Sequence, residues 1–166
     1  SRLVRATVDI YGEAETRRVY GDILPVPAAR VVETVEGTVL RLAGRELQFL
    51  DAPGHARHHV VIRDGATGHL FAGDSFGISY RELDRDGRQF VFPTTSPSQF
   101  DPAELHRTIE RMVALAPAAA YLTHFGRLEE PVARASDLRR LIDAHVALAE
   151  RCRDAGAERK RLLREG

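Results

Sequence analysis

Residues of the types that bind metals are concentrated in three short sequence segments. His55, His58 and His59 lie within five positions of one another in Pro-Gly-His-Ala-Arg-His-His, Asp74 ends Phe-Ala-Gly-Asp, and His124 lies in Leu-Thr-His-Phe-Gly. Neutral imidazole nitrogens and carboxylate oxygens are the ligands that zinc, iron and manganese accept in proteins. A metal held by them would lower the pKa of a water and polarise a carbonyl or phosphoryl oxygen. The residue types therefore indicate a metal site.

Each of the three candidate ligands His55, Asp74 and His124 follows an apolar run that predicts a β-strand. These runs are residues 47–50, 69–72 and 118–123, and each is followed by a turn residue or a polar residue. If the strands are neighbours in one sheet, the three side chains converge at one edge of it. A lone histidine after a strand is more often structural than a ligand, so the prediction depends on the three segments together.

Four nearby residues have open roles. Neighbouring strand residues point in opposite directions, so one of His58 and His59 is expected behind the metal ligands or against the substrate, and the other is expected to be structural. Asp51 would either hydrogen-bond a ligand imidazole and fix its tautomer or cap a turn. Tyr80 follows a ligand loop and would line the substrate cleft, although its place in a polar loop is an equal explanation.

Strands that position these residues are predicted from alternating and β-branched segments. Residues 37–42 and 45–50 flank Ala43-Gly44, a two-residue signal for a β-hairpin. Val60-Val61-Ile62 predicts the next strand. Residues 29–33 are predicted as an edge strand, and residues 80–92 as a second hairpin with its turn at 84–87.

Helices are predicted at both ends of the chain and in its second half. Apolar periodicity predicts one helix over 3–20, ended by Gly21 and followed by an extended linker over 22–27. Asp101-Pro102-Ala103-Glu104 combines an N-cap, a proline at the first helical position and a capping box. The last helix begins near Pro131 and is expected to break near Gly156.

Length and composition limit the class of protein. With 166 residues, the chain is predicted to be one domain over 1–166, with a lead-in helix and linker at 1–36, a sheet at 37–126 and a C-terminal helix at 127–166. The 24 basic and 24 acidic residues balance, so no nucleic-acid or membrane partner is predicted. Cys152 is the single cysteine, which excludes an intramolecular disulfide. Without a signal peptide or an apolar run of about 18 residues, cytoplasmic localisation is the default expectation.

Taken in order, the segments Pro-Gly-His, Phe-Ala-Gly-Asp and Leu-Thr-His-Phe-Gly resemble the second half of the metallo-β-lactamase-fold hydrolases, from about Gly37 to the final helix. The resemblance implies the α/β class and an αββα sandwich, of which this chain would form the C-terminal half, a mixed β-sheet with flanking helices. It also implies that His55 binds a first metal, that Asp74 bridges two metals and that His124 binds the second. The implied cofactor is zinc, as one or two divalent ions in the complete fold, with iron or manganese as alternatives.

The family's signature His-x-His-x-Asp-His, which supplies the remaining ligands, does not occur in this sequence. Together with a first residue that is Ser1, its absence leads to the expectation of a fragment. Two hypotheses follow from the resemblance. In the first, a metal-activated water attacks an ester, thioester, lactone or phosphoester in a small-molecule substrate.

In the second hypothesis, the chain is a catalytically inactive half-domain that persists by self-association or by pairing with a separate N-terminal half. A half-sandwich leaves one sheet face to be covered. A homo-oligomer or a separate N-terminal half is therefore the predicted protein partner. Whether this chain alone is an enzyme stays open between the two hypotheses.

Overall fold

A computed structural model describes residues 2–95 and 99–165. Its contacts separate the chain into two compact units, 1–33 and 34–166, and the single-domain organisation stays a prediction. In the first unit, α1 (Arg2–Tyr11) and α2 (Glu13–Tyr20) replace the one helix predicted for 3–20. The helix breaks at Gly12, where φ is +79°. The edge strand predicted for 29–33 is wrong, because a 3-10 turn at Ala28–Arg30 occupies the start of that segment.

The second unit is built on a six-stranded mixed sheet in which the strands lie in chain order. They are β1 (Val39–Leu42), β2 (Arg45–Asp51), β3 (Val60–Asp64), β4 (Leu70–Gly73), β5 (Ala119–Leu122) and β6 (Gly126–Glu129). All neighbouring pairs are antiparallel except β4 and β5, which are parallel. A parallel pair requires a long crossover connection, and this one runs over residues 74–118 and contains α3 (Pro102–Ala114).

The first predicted hairpin is confirmed. The second is confirmed only at its turn, where Arg85 and Arg88 exchange backbone hydrogen bonds of 3.0 and 2.8 Å, and not in its strands. Ala43 and Gly44 have φ values of +50° and +80°, as a two-residue turn between β1 and β2 requires. Within residues 80–92, Arg81–Leu83 forms a 3-10 turn instead of a strand. The backbone N–H of Phe90 donates to Asp84 Oδ1 at 2.8 Å and its carbonyl accepts from the Ser79 hydroxyl. Side chains therefore take backbone groups that a strand ladder would have used.

Strand β6 was not predicted. Three of its four residues are polar or glycine, and Leu128 alone is buried. Because an edge strand this short has almost no alternation of its own, its pairing with β5 determines its conformation.

Helices α3 and α4 (Pro131–Arg151) pack against one face of the sheet. The predicted N-cap is confirmed, because the Asp101 carboxylate accepts a hydrogen bond from the backbone N–H of Glu104 at 3.0 Å. After α4, a 3-10 turn at Gly156–Glu158 precedes α5 (Arg159–Glu165), which confirms the predicted break. The common core includes these strand and helix residues: Val61, Leu70, Ala72, Leu105, Ile109, Met112, Ala120, Leu128, Leu138 and Ile142.

The structure confirms the predicted α/β class, a mixed sheet with flanking helices. No helix in the described part of the chain has both the length and the apolar character needed to cross a bilayer.

Candidate metal centre

The carboxylate of Asp74 is placed by a sharp corner at the end of β4. Gly73 has a φ of +54°, and a Cβ added there would lie 2.5 Å from His59 Cε1 and Nε2. Only glycine therefore lets the strand pass so close to the imidazole. The corner brings Asp74 to the sheet edge at which the loop after β2 and the loop after β5 also begin.

His59 holds the backbone of this corner. Its Nε2 accepts a hydrogen bond from the backbone N–H of Asp74 at 3.0 Å, so the proton of the neutral ring is on Nδ1. Nδ1 then donates to the Ser75 hydroxyl at 3.0 Å, and that hydroxyl donates to the Ala52 carbonyl at 3.3 Å. Burial, followed by the nearby His55, lowers the pKa of His59 and favours this neutral form. Both ring nitrogens are engaged, so His59 positions Asp74 and presents no free nitrogen to a metal.

His55 is oriented by Thr94. The threonine hydroxyl donates to the Asp74 carbonyl at 2.9 Å, so it must accept from His55 Nδ1–H, which lies 2.9 Å away. The Thr94 carbonyl accepts from the same nitrogen at 3.1 Å. In the neutral ring, Nε2 is left with a free lone pair, and it lies 3.6 Å from Asp74 Oδ2.

His124 approaches the other oxygen of the same carboxylate. It lies in the loop 123–125 that joins β5 to β6, and its Nε2 is 3.5 Å from Asp74 Oδ1. The His124 side chain is 52% exposed, whereas that of His55 is 12% exposed. Among residues 2–95 and 99–165, buried Asp74 Oδ1 has no hydrogen-bond donor. The structure thus brings the three predicted ligands together around one carboxylate.

The donor set fits divalent metal ions. Two donor atoms bound to one tetrahedral zinc are about 3.4 Å apart, close to the 3.6 and 3.5 Å that separate the imidazole nitrogens from Asp74. A neutral imidazole lone pair and a carboxylate oxygen are both acceptors, so a cation between them satisfies both. The buried oxygen without a donor calls for such a partner.

Each imidazole faces a different oxygen of Asp74, so the three side chains do not enclose one common point. Accordingly, no three His, Cys, Asp or Glu side chains in the described residues form a group that could hold a metal ion by themselves. The chain thus offers two pairs of donor atoms, His55 Nε2 with Asp74 Oδ2 and His124 Nε2 with Asp74 Oδ1.

The remaining predicted residues lie around this centre. His58 is exposed in the turn before β3. Asp51 ends β2, where its backbone N–H donates to Glu36 at 2.6 Å and its carbonyl accepts from Arg111 at 2.9 Å. Thr94 orients His55, and the role of the Asp51 side chain stays a prediction.

Tyr80 lies next to Phe125, with ring centroids 4.5 Å apart. Sequence reasoning identified neither Phe125 nor the orienting role of Thr94. The only sequence signal for Thr94 is the Pro-Thr-Thr at 93–95.

Two sequence comparisons match this chain to known proteins. The family model described as the metallo-beta-lactamase superfamily matches residues 4–124. The metallo-beta-lactamase fold-containing protein ST1585 of Sulfurisphaera tokodaii is 29% identical over 97 residues, which cover 58% of this chain and 33% of that protein.

Solved structures show the same fold. The crystal structure of ST1585, an archaeal metallo-beta-lactamase superfamily protein from Sulfolobus tokodaii, matches with a TM-score of 0.59 and 22% identity over 98% of this chain and 58% of that chain. The metallo-beta-lactamase family protein TTHA1429 from Thermus thermophilus matches with a TM-score of 0.56 and 24% identity over 89% of this chain and 46% of that chain.

This chain thus spans a third of the curated relative and about half of the two structures. The family match extends over well more than half of the chain and includes all three candidate ligand segments. The chain belongs to the metallo-beta-lactamase superfamily.

Proposed function

We propose that this chain carries part of the metal centre of a hydrolase that acts on an ester, thioester, lactone or phosphoester. The observation that carries the proposal is the Asp74 carboxylate between two imidazoles, with its buried Oδ1 lacking a donor among the described residues. Superfamily membership supports the same interpretation.

The residues divide into ligands and supports. His55 with Asp74 Oδ2 would hold one divalent ion, and His124 with Asp74 Oδ1 a second, with zinc, iron or manganese all compatible with nitrogen and oxygen donors. Such an ion supplies Lewis acidity to a carbonyl or phosphoryl oxygen and makes a water more acidic. Protein zinc sites use three or four protein ligands, so two donors on each side call for further ligands beyond these three side chains.

His59 and Thr94 are the positioning residues. His59 holds the backbone N–H of Asp74, and Thr94 holds the carbonyl of Asp74 together with the His55 ring. Hydrogen bonds of this kind fix the orientation and tautomer of ligands and raise metal affinity. The chain thus keeps the two better-buried ligands in place before any ion is bound.

Metal uptake tests the proposal directly. The protein would be equilibrated with Zn²⁺, Mn²⁺ or Fe²⁺, and bound metal measured by elemental analysis and calorimetry. Asp74→Asn is expected to weaken metal affinity by about 10- to 100-fold, the range for perturbed metal sites. Asp64→Asn removes the same charge at the end of β3 and is expected to leave uptake unchanged. Wild-type protein that binds no more metal than Asp74→Asn would overturn the proposal.

Hydrolysis is measured next on metal-loaded protein with p-nitrophenyl acetate, a thioester, a lactone and a phosphodiester. Turnover of any of them should disappear in Asp74→Asn and persist in Asp64→Asn. Metal uptake without turnover of any substrate would reject the hydrolase and favour the inactive half-domain.

A further inference from the structure

The residue after His124 is held in a backbone conformation that disfavours its side chain. Leu122 pairs with Gly126, so residues 123–125 form a three-residue hairpin loop. Loops of this kind place their last residue in the left-handed region, where glycine is the usual choice. Here that residue is Phe125, with a φ of +71°. A bulky residue at positive φ is an outlier, and such strain persists at functional sites.

Burial does not compensate for this strain. Phe125 is 55% exposed, so much of its ring lies in solvent. The Tyr80 ring lies 4.5 Å away from the Phe125 ring at an interplanar angle of 34°. Tyr80 in turn lies 6.4 Å from the ring of Phe90. Phe125 and Tyr80, called here the aromatic platform, thus present a supported apolar surface.

The aromatic platform adjoins the metal centre. The ring centroids of Phe125 and His124 are 6.3 Å apart, and His124 Nε2 faces Asp74 Oδ1. If the reacting group of a substrate lies at Asp74, the neighbouring part of that substrate therefore lies near the exposed Phe125 ring. Aromatic rings attract flat apolar groups through offset stacking and area burial.

We propose that the aromatic platform is the subsite for an aromatic acyl group, so that the preferred substrates are aryl-substituted esters or thioesters. This inference rests on the proposed hydrolase function for its reaction and on Phe125 and Tyr80 for its specificity. The strain at Phe125 is retained because the ring contributes to binding and not to folding.

The test compares two carboxylate probes, phenylacetate and acetate, by calorimetry and ligand-observed NMR on the zinc-loaded chain. Their affinity ratio cancels the common carboxylate and reports the phenyl group. Wild-type protein should prefer phenylacetate about tenfold, as expected from covering one face of a phenyl ring. Phe125→Gly should reduce that preference to within about twofold, since the variant removes the ring that makes this contact. A wild type without the preference, or a variant that keeps it, would overturn the proposal.

Two controls separate binding from folding. Phe125→Gly should keep or raise the thermal midpoint, because glycine suits positive φ, so a lost preference would not reflect unfolding. Phe71→Ala removes a ring that is 44% exposed and stacked on Tyr121 at 5.3 Å, on a strand and not in a ligand loop, and should keep the preference. A preference that Phe71→Ala also abolishes would overturn the assignment to Phe125.

Failure of the hydrolase proposal remains distinguishable from failure of this one. Phenylacetate preference without turnover of any ester supports the platform while rejecting the reaction. Turnover of p-nitrophenyl acetate at the same rate as p-nitrophenyl phenylacetate, with equal probe affinities, rejects the platform while supporting the reaction.

Discussion

Two aspartates on either side of β4 contrast a structural carboxylate with a candidate metal ligand. Asp64, at the end of β3, is buried, and both of its oxygens are hydrogen-bonded. Oδ1 accepts from the Ala66 N–H at 2.9 Å, and Oδ2 accepts from the Thr67 hydroxyl at 3.0 Å and from the Arg45 guanidinium. The Arg45 hydrogen bond first, and the Ala66 N–H second, lower the pKa of Asp64 to about 2.

Asp74 has the opposite arrangement. Its backbone is held, with His59 accepting from the N–H and Thr94 donating to the carbonyl. Its side chain is left open, with Oδ1 lacking a donor among the described residues and each oxygen facing an imidazole nitrogen. A structural carboxylate here uses its side chain to hold the chain, whereas the candidate ligand is held by its backbone so that its side chain stays available.

The largest loss of stability is expected from alanine at the glycines near these two aspartates. Gly73 and Gly68 have φ values of +54° and +70°, but an added Cβ meets the His59 ring only at Gly73 and finds nothing within 4 Å at Gly68. Both alanine variants carry the cost of positive φ, about 1–2 kcal/mol, and Gly73→Ala adds about 1–3 kcal/mol of overpacking. Urea unfolding measures both. Equal losses would mean that the contact with His59 does not constrain the Asp74 corner.

Asparagine at either aspartate sharpens the contrast in stability, measured at pH 8. Asp64→Asn loses the charge that the Arg45 guanidinium binds and is expected to lower the urea midpoint. Asp74 Oδ1 has no hydrogen-bond donor among the described residues. The free energy of unfolding of Asp74→Asn should therefore stay within about 0.5 kcal/mol of the wild-type value. A larger loss in Asp74→Asn than in Asp64→Asn would contradict the division into structural and functional carboxylates.

The three candidate ligands could be selected from the sequence because each is a polar residue where an apolar strand ends. Asp74 and His124 meet because β4 and β5 are parallel neighbours, which places their carboxyl ends at the same edge of the sheet. His55 joins them from the loop between β2 and β3. Strand-end position is encoded locally, so a single sequence reveals it.

The supports of the site could not be predicted, since they depend on contacts between distant segments. Thr94 meets His55 across 39 positions of sequence, and the choice between His58 and His59 depends on Ser75 and Ala52 lying behind the ring. The strain at Phe125 appears only once β6 pairs with β5. Periodicity carries no information about such contacts.

The pH dependence of stability tests whether the ionised Asp64 carboxylate stabilises the fold. The folded pKa of Asp64, about 2, lies below its ordinary value of 3.8, so between these values the unfolded chain binds more protons than the folded one. The contribution of Asp64 is therefore complete above about pH 4 and decreases as pH falls towards 2.

Urea midpoints of wild type and Asp64→Asn from about pH 6 to about pH 2.5 provide the measurement, and their difference removes the contribution of the other carboxylates. That difference should be constant down to about pH 4 and then shrink. A difference that stays constant over the whole range would show that the carboxylate charge does not hold the turn.

The smallest effects are expected from the two threonines that support the aspartates. Thr94→Val and Thr67→Val each remove one hydroxyl hydrogen bond to an aspartate, at a cost of about 1 kcal/mol in each case. Their effects on metal uptake should differ, because Thr94 also accepts from His55 Nδ1–H and fixes its free nitrogen. Thr94→Val is expected to weaken zinc affinity about tenfold, with no change in Thr67→Val. Calorimetry with zinc separates them, and equal affinities would mean that the Thr94 carbonyl alone, which the valine retains, orients His55.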